Sequence, residues 1–343
     1  MESMAPPSSG HLRVRYVALL QGEPVTDGYD RKLETYFDRW REITRMTIVY
    51  GLPRDESVAA ASSSAEPAKP IHHDHKQPAS NSGDALASEN EPCSLRGRIW
   101  KSLLGVEDQA IDRQKYRRLV ERGASYYDAD IRNDTFRTFR GDANFAHRVP
   151  EDKLVRLLNA FFNELGASSS EAGQRSEFPN YFRYVQGMNV ICAPLLYVMP
   201  EEDAYHTFCQ LLLKHCPKYM APQLCGVEHG CILVDQCLEI IDPELYRHLS
   251  SRGITARIYA LPLILSLFAC VPPLQELLRV WDVLFAVGVH FVVLLAVAHT
   301  VLLRDQLLAK DMDLMKILSS RFAPPLQSDQ LISVALQVTH YHC

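Results

Sequence analysis

The spacing of apolar residues from position 95 onward restricts the fold of this chain most strongly. The stretches 95–106 and 151–165 place Leu, Ile, Trp and Phe three or four residues apart, as one face of an α-helix requires. Alternation typical of a β-strand does not persist beyond a few residues. Further helical stretches cover residues 186–199, 203–215, 231–241, 254–270, 274–287, 289–309 and 329–341. The pattern predicts an all-α, multi-helical fold.

The first ninety residues are less regular. Residues 1–30 are polar with little periodicity, which predicts an N-terminal extension. An amphipathic helix is predicted over residues 31–50, at the start of a domain that reaches residue 340. Residues 54–92 have too few large apolar side chains to offset the loss of chain entropy, so we expect a disordered insertion in that domain. Its HHDH sequence, at positions 72–75, is either a solvated loop or a weak metal site.

Charge and cysteine content exclude several classes of protein. The formal net charge is −5 and no polybasic run occurs, so neither nucleic acid nor an acidic membrane surface is an expected partner. Nine scattered cysteines and an N-terminus without an apolar signal core favour a reduced, cytoplasmic compartment. One cluster could suggest zinc, but its spacing does not fit a structural zinc site, so we expect no metal there. The cluster consists of His215, Cys216, Cys225, His229, Cys231 and Cys237.

Residues 283–303 contain no Asp, Glu, Lys or Arg. By length this run is either a membrane span or a helix in the core of a large helical domain. The run contains His290 and His299 and directly follows Trp281 and Asp282, which favours the core helix. No membrane span is therefore expected.

Ile131, Asp134 and Arg137 lie three residues apart. On a helix, an acid and an arginine at positions i and i+3 can touch, and the acid can then hold the guanidinium in one orientation. Ile131 would point inward and fix the turn. Taken alone, the pair is better explained as an ordinary surface ion pair, which is common in helical proteins and contributes less than about 1 kcal/mol.

The sequence YVQGMN, at positions 184–189, precedes a long apolar helix. It presents an aromatic ring at Tyr184 and an amide at Gln186, followed by Gly187, whose missing side chain lets another surface approach. Taken alone, it is also consistent with an ordinary helix start.

Four motifs occur in a fixed order: LRGRIW, IRNDTFR, YVQGMN and RVWD. Together they resemble the TBC (Tre/Bub/Cdc) domain of GTPase-activating proteins for Rab-type small GTPases. The family patterns R-x-x-x-W, I-x-x-D-x-x-R and Y-x-Q match Arg96 with Trp100; Ile131 with Asp134 and Arg137; and Tyr184 with Gln186. The resemblance implies two helical subdomains with a groove between them. It is strongest to the fungal cell-cycle branch, which restrains mitotic exit or septation together with a companion scaffold subunit.

The resemblance also implies roles for single residues. Arg137 would be an arginine finger and Gln186 a glutamine finger, with Asp134 and Tyr184 positioning them. Arg96, Trp100, Trp281 and Asp282 would be structural.

The implied activity is stimulation of a partner's GTP hydrolysis. The GTP and Mg²⁺ would belong to a Rab- or Ras-like GTPase, and the chain would need no cofactor of its own. The implied location is the cytoplasm, including the cytoskeleton and spindle pole body. The alternative is a non-catalytic scaffold that binds a GTPase or the companion.

Overall fold

The computed structural model describes residues 7–23, 25–26, 33, 35–53, 92–170, 183–309, 313–319 and 324–340. Within these ranges the chain is helical and forms no β-strand, which confirms the all-α prediction. The predicted disordered insertion, except for residue 92, and its HHDH sequence lie outside the described residues.

The described chain contains eighteen α-helices. The first nine are α1 (Ser9–Gln21), α2 (Tyr36–Val49), α3 (Leu95–Leu104), α4 (Arg113–Glu121), α5 (Asp128–Thr135), α6 (Ala143–Arg148), α7 (Glu151–Ser170), α8 (Met188–Val198) and α9 (Glu201–Gln210). The others are α10 (Cys225–Ile241), α11 (Pro243–Ser250), α12 (Ala256–Tyr259), α13 (Leu261–Leu265), α14 (Leu274–Val287), α15 (Val292–Leu302), α16 (Arg304–Leu308), α17 (Leu314–Leu318) and α18 (Ser328–His340). Short 3₁₀ turns cover Asp108–Ala110, Pro222–Leu224 and Val289–Phe291, and a π turn covers Leu211–His215.

Helix α1 lies in the segment for which sequence analysis predicts only a polar extension. Its buried face consists of Leu12, Tyr16 and Leu19 and packs against α2 and α3. The Tyr16 hydroxyl donates to the carbonyl oxygen of Gly51 at 3.2 Å. Residues 9–21 therefore contribute to the core of the fold.

Helix α2 begins at Tyr36 rather than at the predicted residue 31, because the Thr35 side chain accepts a hydrogen bond from the Asp38 amide and caps the helix. Its inner face buries Ile43 and Met46, as an amphipathic helix would, whereas Tyr36 is exposed.

Two predicted helices are interrupted. The stretch 254–270 forms only the short helices α12 and α13, because Leu267 and Phe268 adopt positive φ angles of 51° and 68°, which end the helix. The uncharged run 283–303 is divided between α14 and α15 at Gly288, whose φ is 119°. Both parts of this run pack in the core, and no helix among the described residues is long and apolar enough to cross a bilayer.

The helices form two groups. In the first, α4, α5, α8 and α9 pack around α7; in the second, α10 contacts α11, α12, α13 and α15. Helix α14 contacts α2, α3 and α18.

A buried polar cluster joins α3 to α14. Arg96 donates to both carboxylate oxygens of Asp282, from Nε at 3.0 Å and from Nη2 at 3.2 Å. Trp100 Nε1 donates to the same carboxylate at 2.8 Å. Burial raises the pKa of the Asp282 carboxyl, and the charge of Arg96 opposes that shift. Trp281 donates to the carbonyl oxygen of Leu267 at 2.7 Å, so this motif also fixes the turn before α14.

Candidate functional site

A cavity of about 1000 Å³ lies between the two groups of helices. One wall comes from the end of α5, the turn between α5 and α6, and the turn that opens α8, and it includes Arg137 and Gln186. A second wall comes from α13 and the chain that leads into α14. Its lining is largely apolar and includes Pro262, Leu265, Ala269 and Pro272. Arg137 and Gln186, which the family resemblance singles out, thus line one cavity. They are 49 residues apart in the sequence.

Arg137 lies in the turn that follows α5, not within a helix as the sequence pattern suggests. The contact expected from that pattern still forms, because the Arg137 amide donates to the Asp134 carbonyl at 3.4 Å and keeps the two residues one turn apart. Arg137 Nη2 forms an ion pair with Asp134 Oδ1. The Arg137 side chain is 53% exposed, whereas that of Asp134 is only 6% exposed. The guanidinium is therefore anchored at one end and open to the cavity.

Asp134 accepts a second hydrogen bond, from the hydroxyl of Tyr184 at 2.8 Å. Burial, followed by the Asp134 carboxylate, raises the pKa of Tyr184, so its hydroxyl stays protonated and remains a donor. Ile131 is fully buried beneath this turn, as predicted. One carboxylate thus connects the segment that carries Arg137 to the segment that carries Gln186.

Gln186 is exposed in the tight turn that precedes α8. Gly187 caps that helix with φ of 108°, a conformation that residues with a Cβ rarely adopt. A Cβ at Gly187 would meet nothing within 4 Å, so it is the backbone angle that calls for glycine. From the sequence, this glycine was instead expected to allow the close approach of another surface.

Asn189 and Thr138 were not identified from the sequence as site residues. Asn189 Nδ2 donates to Thr138 Oγ1 at 2.8 Å and to the Asp134 carbonyl at 3.3 Å. Asn189 Oδ1 accepts from the Gly187 amide at 3.2 Å. The sequence signal for Asn189 was its place at the end of YVQGMN; Thr138 directly follows the IRNDTFR motif.

The family described as the Rab-GTPase-TBC domain matches residues 93–308. The chain belongs to this family. It is 37% identical to "Cell division control protein 16" of Schizosaccharomyces pombe, covering 73% of this chain and 77% of that protein. It is 34% identical to "Mitotic check point protein BUB2" of Saccharomyces cerevisiae, covering 74% of this chain and 82% of that protein.

The "Putative mitotic check point protein BUB2" of Dictyostelium discoideum is 38% identical over 74% of this chain, which spans 64% of that protein. Two solved TBC domains share the fold. The Chlamydomonas flagellar RabGAP TBC domain has a TM-score of 0.56 at 20% identity, covering 91% of this chain and 99% of that chain. The Ypt/Rab-GAP domain of Gyp1p has a TM-score of 0.54 at 15% identity, covering 72% and 87%.

The remaining motif residues of this TBC domain lie away from the cavity. Arg96, Trp100, Trp281 and Asp282 do not line it and instead form the buried cluster between α3 and α14. Arg96, for which a structural role was expected, joins the start of α3 to the interior of α14.

The cysteines considered above for zinc are free thiols in the described chain. Cys216 and Cys231 are buried, and burial raises the pKa of the Cys231 thiol to about 12. Over the described ranges, no three His, Cys, Asp or Glu side chains lie close enough together to hold a metal ion.

Proposed function

We propose that this TBC domain accelerates GTP hydrolysis on a Rab-like small GTPase by supplying Arg137 and Gln186 to the partner's nucleotide. The observation that supports this most is the shared cavity: both side chains are exposed on one wall, and the arginine is oriented by a buried carboxylate. Membership of the Rab-GTPase-TBC domain family gives the class of partner.

The chemistry of GTP hydrolysis explains why two such groups would suffice. The reaction needs an oriented water and a positive charge where negative charge develops between the β- and γ-phosphates. The Arg137 guanidinium would supply that charge, a contribution of about 10³–10⁵ in rate for an arginine inserted in trans. The Gln186 amide can accept a hydrogen bond from the water and donate one to a phosphate oxygen. GTP and Mg²⁺ would arrive with the GTPase.

Asp134 and Tyr184 would act through the arginine. A guanidinium is flexible in water, and fixing its direction before the partner binds avoids an entropy cost in the transition state. Asp134 provides this orientation because it is itself held by the Tyr184 hydroxyl. Arg140 adds a second guanidinium to the cavity lining, which also contains the carboxylates of Asp134 and Asp142.

We further infer a role in cell-cycle control, with a companion subunit, in the cytoplasm or at the spindle pole body. What supports this part is the similarity to mitotic check point and cell division control proteins over about three quarters of the chain. Measuring the stimulated rate with and without candidate companion scaffolds tests it: a rate that no scaffold changes would count against a two-component activator.

The central test is single-turnover GTP hydrolysis across a panel of Rab-like GTPases, with and without candidate scaffolds. We expect Arg137→Ala to reduce the stimulated rate by about 10³-fold or more and Gln186→Ala to reduce it strongly. Arg132→Ala is the matched control, because Arg132 lies on α5 just before the turn that carries Arg137, is exposed, pairs with Asp128 and does not line the cavity. The proposal fails if both finger variants stimulate as well as the parent. A parent that binds a GTPase tightly without changing its rate, scaffold included, would instead indicate the scaffold function.

A further inference from the structure

The two exposed side chains each lie in a turn that is fixed on both sides. Arg137 lies between Asp134, whose carboxylate accepts from Tyr184, and Thr138, whose hydroxyl accepts from Asn189. Gln186 lies between Tyr184 and Gly187, and the Gly187 amide donates to Asn189. The two turns are therefore joined at two points, one on each side of the pair of exposed side chains.

We infer that Asn189, acting with Thr138, is a positioning residue that sets the separation and direction of Arg137 and Gln186. The inference rests on the proposed function. Tyr184 and Asp134 form one connection between the turns; the Asn189 carboxamide forms the other. With one connection removed, the turns could rotate about the remaining one, and the two exposed side chains would no longer meet the same phosphate.

The carboxamide suits this position for a chemical reason. It needs donors for the Asp134 carbonyl and the Thr138 hydroxyl, and an acceptor for the Gly187 amide. An asparagine side chain carries two N–H donors and one oxygen acceptor, whereas aspartate carries no donor when ionised. Asn189 is only 5% exposed, so water has little access to replace these bonds.

The bonds of Asn189 differ from those that build the core. Helix α8 is buried through its apolar residues, including Met188, Ile191 and Leu195. The Asn189 amide instead bonds to backbone and hydroxyl atoms in the two turns beside the cavity. Its removal would leave the apolar packing in place and loosen the geometry of the site, which lowers kcat while KM for the GTPase changes little.

The experiment compares four variants of the full chain. We expect Asn189→Ala to lower kcat of stimulated hydrolysis about 10- to 100-fold, the cost of misplacing catalytic groups by about an ångström. Thr138→Val keeps the shape of threonine but removes the hydroxyl, and it should lower kcat in the same direction. Thr138→Ser restores the hydroxyl and should restore kcat. Arg137→Ala is the positive control, because its loss of kcat shows that the measured hydrolysis depends on the arginine.

Hydrogen exchange gives a second measurement that does not need an active GTPase. In Asn189→Ala we expect faster amide exchange at residues 134–140 and 183–190, with no change at residues 231–241 in α10. The inference is overturned if Asn189→Ala keeps the parent's kcat while Arg137→Ala loses it, or if either turn exchanges as in the parent.

The two proposals fail in different ways. If no GTPase is stimulated by the parent, the proposed function fails, and faster exchange in both turns would still support the coupling through Asn189. If Asn189→Ala does not fold, the two Thr138 variants decide. Equal kcat for Thr138→Val and Thr138→Ser overturns the inference, whereas a kcat restored only in Thr138→Ser supports it.

Discussion

In two places in the molecule, a buried carboxylate accepts hydrogen bonds from an arginine and from an aromatic side chain. The two places differ in how exposed the arginine is. In the α3–α14 cluster, Asp282 accepts from Arg96 and from the aromatic donor Trp100. At the cavity, Asp134 accepts from Arg137 and from the aromatic donor Tyr184. Both carboxylates are buried, at 0% and 6% exposed, but the Arg96 side chain is 13% exposed and that of Arg137 is 53% exposed.

Because of this difference in exposure, Arg96 can stabilise only the interior of the fold, whereas Arg137 can contact a partner protein. Arg96 engages Asp282 through two nitrogens, as a planar guanidinium does when both partners are fixed. At the cavity, Arg137 bonds to Asp134 through Nη2, and its side chain is 53% exposed and lines the cavity. The first pair should therefore govern stability and the second should govern activity.

The largest effect is expected from Asp282→Ala. It would leave the Arg96 charge and the Trp100 indole N–H without their buried acceptor, which costs about 3–5 kcal/mol in the free energy of unfolding. Denaturant unfolding measures this loss. Asp305→Ala is the control, because Asp305 is fully exposed and its contact with Arg304 is long, at 4.0 Å. A loss for Asp282→Ala no greater than for Asp305→Ala would show that the buried pair does not hold the fold.

The next effect comes from exchanging arginine for lysine in each pair, since lysine keeps the charge and loses the planar fork. Arg137→Lys should lower the stimulated rate by about 10²–10³-fold and leave the free energy of unfolding unchanged. Arg96→Lys should cost about 1–3 kcal/mol of stability and leave the rate of the folded protein unchanged. The stimulated rate of GTP hydrolysis and the free energy of unfolding should be measured for both variants. The distinction between the two arginines is wrong if both variants lose rate and stability to the same extent.

The smallest expected effect is on the pH dependence of stability, and it comes from His299 in α15. Burial lowers the pKa of His299 to about 4, and its ring packs edge-on against Phe268 at 6.0 Å. In the unfolded chain the pKa is about 6.5, so between these values only the unfolded state binds the proton. Stability should fall by about 1–2 kcal/mol as pH falls from about 7 to 5. The measurement is denaturant unfolding at each pH.

Replacing His299 should weaken this dependence of stability on pH. His299→Gln is expected to lose less stability on acidification than the parent, whereas His229→Gln, at an exposed position, should behave like the parent. An unchanged slope in His299→Gln would place the acid sensitivity elsewhere.

Local spacing allowed much of this architecture to be predicted. Asp134 and Arg137 are three residues apart, so their contact follows from chain geometry even though the helix ends before Arg137. The helix at 274–287 was predicted at its observed bounds. Leu12, Tyr16 and Leu19 in α1 also carry helical spacing, which the polar residues between them obscured.

Long-range partners could not be predicted in this way. Arg96 and Asp282 are 186 positions apart, and Asn189 and Thr138 are 51 apart, so no local pattern joins them. The interruption at Leu267 and Phe268 depends on tertiary packing, because neither residue type favours positive φ. The assignment of Arg137 and Gln186 as fingers came from family resemblance and stays a prediction.

The apolar wall of the cavity affects how strong a charge contact with Arg137 would be. A partner surface seated against Pro262, Leu265 and Pro272 would displace water from that side. The local dielectric constant would fall, and the attraction between the guanidinium and a phosphate would rise accordingly. How tightly a GTPase fits against this hydrocarbon surface would then help to set its catalytic response, even though the wall itself offers no charge to the reaction.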